Sequence, residues 1–176
     1  MKPTKNILAI SGSLRAGSSN HTILRFLGQF VPNNTRYVIY EGLSLLPHFD
    51  PGLDNDDPPE PVNALRKRLA EADGVIICTP EYAYGVPGSL KNALDWTVSS
   101  GSLVDKPLAL ITASTGGQNA HAALKLILGA LSANMLEDAT LLISFIKSKM
   151  DGEGNITDAE TANKLKTAFA ALLNKL

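Results

Sequence analysis

Val75-Ile76-Ile77-Cys78-Thr79-Pro80-Glu81-Tyr82-Ala83-Tyr84-Gly85-Val86-Pro87-Gly88 is the stretch on which the architecture turns. Four apolar residues run without polar alternation and then meet a stiff loop of two prolines, two glycines and two tyrosines. A short run that is apolar on both faces suits a strand covered by helices on both sides, the setting of a parallel sheet. Outward from it, similar runs recur at Ile7-Leu8-Ala9-Ile10, Tyr37-Val38-Ile39-Tyr40, Leu108-Ala109-Leu110-Ile111 and Leu141-Leu142-Ile143.

Helical spacings fill the intervals. Ile23, Leu24, Leu27, Phe30 and Val31 make one stripe, and Val62, Leu65, Leu69 and Ala72 another. Leu90, Ala93 and Leu94 follow, then Leu124, Ile127, Leu128 and Leu131. Thr157 with Glu160 has capping-box spacing ahead of a last stripe of Ala162, Leu165, Phe169, Leu172 and Leu176. Five strands alternating with five helices predict an α/β, flavodoxin-like three-layer sandwich. Its sheet is five-stranded and parallel, in order 2-1-3-4-5. Residues 1–176 read as one domain, too short for a six-stranded dinucleotide fold. Pro47-His48-Phe49-Asp50-Pro51 through Pro58-Pro59 breaks the rhythm, and predicts an extended surface loop.

Composition narrows the function. The formal net charge is −1, so no bulk attraction to nucleic acid or to an anionic membrane is expected. No apolar run approaches the roughly 20 residues of a membrane span, and the start lacks the long apolar stretch of a signal peptide. One cysteine, Cys78, excludes an internal disulfide framework. A cytoplasmic enzyme is the expectation.

In an open parallel sheet, ligands bind beyond the carboxyl ends of the strands. Three loops leave those ends. Ser11-Gly12-Ser13-Leu14-Arg15-Ala16-Gly17-Ser18-Ser19-Asn20 combines glycines, hydroxyls and an arginine at a helix start, the equipment for one terminal phosphate. The same composition suits a serine-rich helix cap with a surface arginine. Thr79 through Gly88 suits the edge of a flat heteroaromatic ring, or equally a rigid turn whose tyrosines cover the core. Ala113-Ser114-Thr115-Gly116-Gly117-Gln118-Asn119-Ala120 alone reads as a strand-to-helix turn, and its place on the same sheet edge adds it to the site.

Together, Gly12-Ser13-Leu14-Arg15-x-x-Ser18-x-Asn20 and Pro80-Glu81-Tyr82-x-x-Gly85-x-Pro87-Gly88-x-Leu90-Lys91-Asn92-Ala93-Leu94-Asp95-Trp96 resemble the two signature blocks of the NADPH-dependent FMN reductase family. The resemblance implies FMN as cofactor, with Ser13, Arg15, Ser18 and Asn20 on its phosphate and Ser19 beside them. It implies that Pro80, Glu81, Tyr82, Ala83, Tyr84 and Gly85 line the flavin edge. Ser114, Thr115, Gly116 and Gly117 would close the other side. NADPH or NADH would be the donor, and a quinone, free flavin, azo compound or metal oxyanion the acceptor, in a ping-pong cycle. No catalytic acid, nucleophile or metal is required, and a homodimer or homotetramer is implied; the alternative is a flavodoxin-type electron carrier or a non-catalytic flavin-binding module. Two positions depart from the family pattern. Ala83 stands where asparagine is common, which removes one side-chain hydrogen bond, and Asn119-Ala120 stand where Gly-Gly is common.

Other residues are expected to be structural. Cys78 reads as a small core hydrophobe. His21, His48 and His121 have no metal-ligand spacing, and His121 reads as exposed or as a cap. Asp50, Asp54, Asp56, Asp57 and Glu60 read as a solvated acidic loop. Asp151-Gly152-Glu153-Gly154-Asn155 begins like a calcium loop, but Ile156 occupies the glycine position, so a plain turn is expected.

Overall fold

The computed structural model describes residues 4–176. Strands β1 (Lys5–Ser11), β2 (Thr35–Tyr40), β3 (Gly74–Thr79), β4 (Pro107–Ala113) and β5 (Asn134–Ile143) form one sheet in order β2-β1-β3-β4-β5. Every pairing is parallel. Helices α1 (Ser19–Gly28), α2 (Glu60–Glu71), α3 (Gly88–Asp95), α4 (Gln118–Ala130) and α5 (Ala159–Leu173) cover it.

The period-2 geometry of a strand sorts the apolar runs into two cores. Leu8, Ile10, Val75, Ile77, Leu108 and Leu110 point to the face packed by α2, α3 and α4. Ile7, Ala9, Ile76, Cys78, Ala109 and Ile111 point to the face packed by α1 and α5. All six residues of β3, the central strand, are buried, which is why its sequence carries no polar alternation.

Three local expectations are corrected. β5 has 10 residues and starts well before Leu141. It is an edge strand whose pairing with β4 is irregular between Leu108 and Leu110, and exposed Glu137 and Asp138 interrupt its apolar pattern. Charge on an edge blunts pairing with other chains and hides the strand from a periodicity reading. The cap of α5 is Asp158, whose carboxylate accepts the Thr161 N–H at 2.8 Å, in place of the expected Thr157–Glu160 box. Helix α1 stops at Gly28, so Phe30 lies outside it, 40% exposed and edge-on to Phe26. In the acidic loop Asp50, Asp56, Asp57 and Glu60 are exposed, as a solvated loop requires, while Asp54 is pinned, accepting from Arg66 Nη2 at 2.6 Å and from Ser99 Oγ at 2.7 Å.

Two residues of the second signature block serve the fold. Asn92 Nδ2 and Trp96 Nε1 each donate to Pro47 O at 2.9 Å, and Asn92 Oδ1 accepts the Phe49 N–H at 2.8 Å. Trp96 is fully buried with Phe49 edge-on at 5.0 Å. The proline-rich segment is thereby fastened to α3, directly behind the second loop.

Candidate functional site

The carboxyl end of β1 approaches β3 so closely that only glycine fits between them. The Gly12 N–H donates to Cys78 O at 2.8 Å, and a Cβ on Gly12 would stand 2.1 Å from Thr79 Oγ1. The chain then folds back on itself. Ser13 N donates to Ser11 Oγ, Arg15 N to Ser13 Oγ, and Ser18 N to Arg15 O. Ser18 caps α1 by accepting the His21 N–H at 3.2 Å. The N–H groups of Ser19 and Asn20 have no acceptor among the described residues. Free donors at the start of a ten-residue helix, with Arg15 alongside, match an anion.

The second loop is a two-residue hairpin turn. Tyr82 and Gly85 exchange both backbone hydrogen bonds, at 3.0 and 2.9 Å. The two residues between them, Ala83 and Tyr84, are both left-handed, with φ of 48° and 58°. Such a turn favours Asn-Gly, because asparagine and glycine tolerate positive φ better than other residues. An asparagine at position 83 would therefore suit the turn's backbone geometry, beyond any side-chain hydrogen bond. The turn holds Tyr82 half-exposed, its hydroxyl 3.1 Å from Ser13 Oγ, and leaves Tyr84 82% exposed.

Glu81 joins the second loop to the third. Its N–H donates to Ser114 Oγ at 3.2 Å, and its carboxylate accepts from Gly117 N at 3.3 Å and Ala120 N at 2.8 Å. Glu81 thus caps α4, a helix with no capping side chain of its own, since Gly117 sits at its start. Gly117 has φ of 109°, and a Cβ there would lie 2.8 Å from Leu142 Cδ1.

These three loops enclose a cavity of about 400 Å³. Ser13, Arg15, Ser18, Ser19 and Asn20 come to its wall from the first loop, Pro80, Glu81 and Tyr82 from the second, and Ser114 and Thr115 from the third. Ala83, Tyr84, Gly85, Gly116 and Gly117 are set back from the wall, in the turn and at the helix cap. Asn20 is buried, and its side chain is already engaged: Nδ2 donates to Ala113 O at 3.2 Å and Oδ1 accepts the Cys78 thiol at 3.3 Å. Asn119 and Ala120 lie in the first turn of α4, outside the wall.

The wall also contains Ile146 and Lys147, which the sequence reading missed. They belong to a short 3₁₀ turn after β5 (Ile146–Lys149), and no motif marks that segment. The capping role of Glu81 was missed as well, because its partner helix lies more than 30 residues on.

The remaining candidates are structural. Burial pushes the Cys78 thiol far up, so it is an inert core group. His121 is half-buried rather than exposed, with Nδ1 2.9 Å from Thr112 Oγ1, and burial, then Lys125, lower its pKa. Asp151 closes a plain turn by accepting from Glu153 N and Asn155 N. No group of three or more potential metal ligands occurs among the described residues.

The donor set fits a phosphate monoester with a flat ring beyond it: free helix N–H groups, serine hydroxyls, one guanidinium, and a rigid loop edge. Comparison with known proteins gives the family. The model of the NADPH-dependent FMN reductase family matches residues 5–147. A quinone reductase of Escherichia coli strain K12 is 31% identical over 186 residues, covering 100% of this chain and 99% of that protein. An NADPH:quinone oxidoreductase of Arabidopsis thaliana is 31% identical, over 98% of this chain and 92% of the other. Among solved structures, the flavoenzyme NAD(P)H:(acceptor) oxidoreductase of Paracoccus denitrificans superposes with a TM-score of 0.83 at 30% identity, covering 97% of this chain and 96% of that one. With its strand order, its phosphate-type loop and these full-length likenesses, this chain belongs to the NADPH-dependent FMN reductase family of flavodoxin-like oxidoreductases, which work through FMN and NAD(P)H.

Proposed function

We propose that the chain reduces a quinone-type acceptor at the expense of NAD(P)H, in a ping-pong cycle through FMN held in the three-loop cavity. The observation that carries this reading is the convergence of Ser13, Arg15, Ser18, Ser19, Tyr82, Ser114 and Thr115 on one cavity from three separate loops. Several relatives of full-length coverage are named quinone reductases, which supports the acceptor class.

Bound FMN supplies hydride acceptance from the donor and hydride release to the acceptor. The chain's residues bind and orient. Arg15, the hydroxyls of Ser13 and Ser19, and the free N–H groups of Ser19 and Asn20 hold the phosphate. Asn20 acts by position, tying α1 to the ends of β3 and β4. The backbone of Pro80 to Tyr82 and the Ser114–Thr115 edge align the ring, while Ala83, Tyr84, Gly85, Gly116 and Gly117 shape the loops that do so. Tyr82 and Tyr84 offer exposed aromatic faces to a planar donor or acceptor. Both substrates can use one open face in turn, which is what a ping-pong cycle needs.

Residues 1–176 would act as one FMN-binding domain, in a homodimer or homotetramer in the cytoplasm. The exposed Val98, Val104 and Leu126 near α3 and α4 support self-association. No helix among the described residues is long and apolar enough to cross a membrane.

The test is the visible spectrum of FMN-loaded protein under anaerobic conditions. NADPH or NADH should bleach it, and added benzoquinone should restore it. A spectrum that both donors leave unchanged would replace this reading with that of an electron carrier. Bleaching without recovery by any quinone would move the acceptor to another class.

A further inference from the structure

We infer that Lys147, which lines the same cavity as Arg15, is a second cation for the phosphate of the bound flavin. This rests on the site assignment proposed above, and extends it to a residue outside both signature blocks.

A phosphate monoester carries about −1.5 to −2 charges at neutral pH. Arg15 supplies only one positive charge. Glu81 also lines the cavity, and its two oxygens accept the N–H groups of Gly117 and Ala120 at the start of α4. Arg15 alone leaves about 0.5 to 1 unit of the phosphate charge without a cationic side chain. Lys147 lines the cavity and makes no ion pair among the described residues. Its neighbour Lys149 does not line the cavity, and is paired with Asp158 at 3.6 Å. Of two lysines in one turn, the one at the cavity is the one left without a carboxylate.

The backbone around Lys147 is fixed rather than loose. Phe145 N donates to Thr115 O and Ile146 N to Ser114 O, both at 3.1 Å, and Ser144 Oγ donates to Gly116 O at 3.0 Å. Ile146 is buried beneath the turn. Phe145, 65% exposed, is left-handed with φ of 55°. A non-glycine residue persists there only where its surroundings over-determine it. These ties hold residue 147 beside the third loop, in the cavity that the first loop also lines.

The experiment compares FMN with riboflavin, which has the same ring and no phosphate. Binding of each is read by quenching of flavin fluorescence, in the wild type, Lys147→Gln, Lys147→Arg and Arg15→Ala. Lys147→Gln should weaken FMN binding by about 2- to 5-fold, the range for an exposed charge contact. Riboflavin binding should not change, Lys147→Arg should keep most of the FMN affinity, and the salt dependence of FMN binding should be shallower in Lys147→Gln. If Arg15→Ala separates the two flavins and Lys147→Gln does not, the inference is wrong and the phosphate site stands. An equal loss of both flavins in Lys147→Gln would also overturn it, by showing a packing role. If neither variant separates FMN from riboflavin, the phosphate has been misplaced and both readings fall.

Discussion

Glu81 Oε2 accepts the backbone N–H of Ala120 at 2.8 Å, so the loop after β3 caps the helix that follows β4. The second and third loops of the cavity therefore form one unit. A flavin edge resting on Pro80–Tyr82 and on Ser114–Thr115 would rest on parts whose spacing Glu81 sets.

Removing that cap should loosen both loops. Glu81→Ala is expected to lower stability by about 1–2 kcal/mol, the range for a lost helix cap with a charged acceptor. Chemical denaturation checks it. Glu81→Gln keeps one acceptor oxygen and should lose less. No change in either variant would mean that water replaces the carboxylate at α4.

The hairpin turn at Ala83-Tyr84 offers a gain. Ala83 at φ 48° carries the left-handed penalty of a side chain with no compensating polar group. Ala83→Asn should raise stability by about 0.5–1 kcal/mol, since asparagine tolerates this region better. Ala83→Val should lower it, because a branched Cβ fits that region worst. The midpoint of a urea transition, compared across the three proteins, decides.

Gly12 tests the close approach of β1 to β3. A methyl group there would fall 2.1 Å from Thr79 Oγ1, and backbone has to move to admit it. Gly12→Ala is expected to lower stability by about 1–3 kcal/mol, as overpacking does. It should also weaken FMN binding more than Gly152→Ala, a control with open space around its added Cβ. Equal effects of the two changes would contradict the close-approach account.

The Asp54–Arg66 pair should make stability sensitive to acid. Hydrogen bonds from Arg66 and then Ser99 hold the Asp54 carboxyl below its usual value of 3.8. A carboxyl with a depressed folded pKa contributes stability that is full above the unfolded value and is lost as pH falls through the folded one. Asp54→Ala should therefore be less stable than wild type at pH 7. The gap should close as pH drops below about 4, the ordinary carboxyl range. A gap that stays constant down to pH 2 would assign the loss to packing. Denaturation midpoints from pH 7 to pH 2 give the comparison.

The fold and the outline of the site were legible in the sequence because their signals are local. Val75 to Cys78 has no polar residue because β3 is covered on both faces, and the other strand runs repeat that logic. Gly12 to Asn20 and Pro80 to Gly88 show their turn chemistry in consecutive residues. Only the first part of β5 escaped, for a local reason too: an edge strand faces water, so Glu137 and Asp138 interrupt its pattern ahead of Leu141. The cap of α5 moved from Thr157 to Asp158 because neighbouring residues both have capping chemistry, and only the chain's entry angle selects between them.

What the sequence by itself determined was the order of strands and helices along the chain and the two loop motifs. The tertiary structure alone decided which polar groups are free to meet a ligand. Glu81 is engaged by α4, Asn20 by Cys78 and Ala113, and Lys149 by Asp158, whereas Arg15 and Lys147 reach the cavity without a carboxylate partner. A hydrogen bond depends on distance in space, and in these contacts the partners stand between 9 and 93 residues apart along the chain: Lys149 is nine residues from Asp158, and the Asn20–Ala113 separation is 93. Local periodicity carries no record of such pairs, because the sheet brings them together only after its strands have aligned.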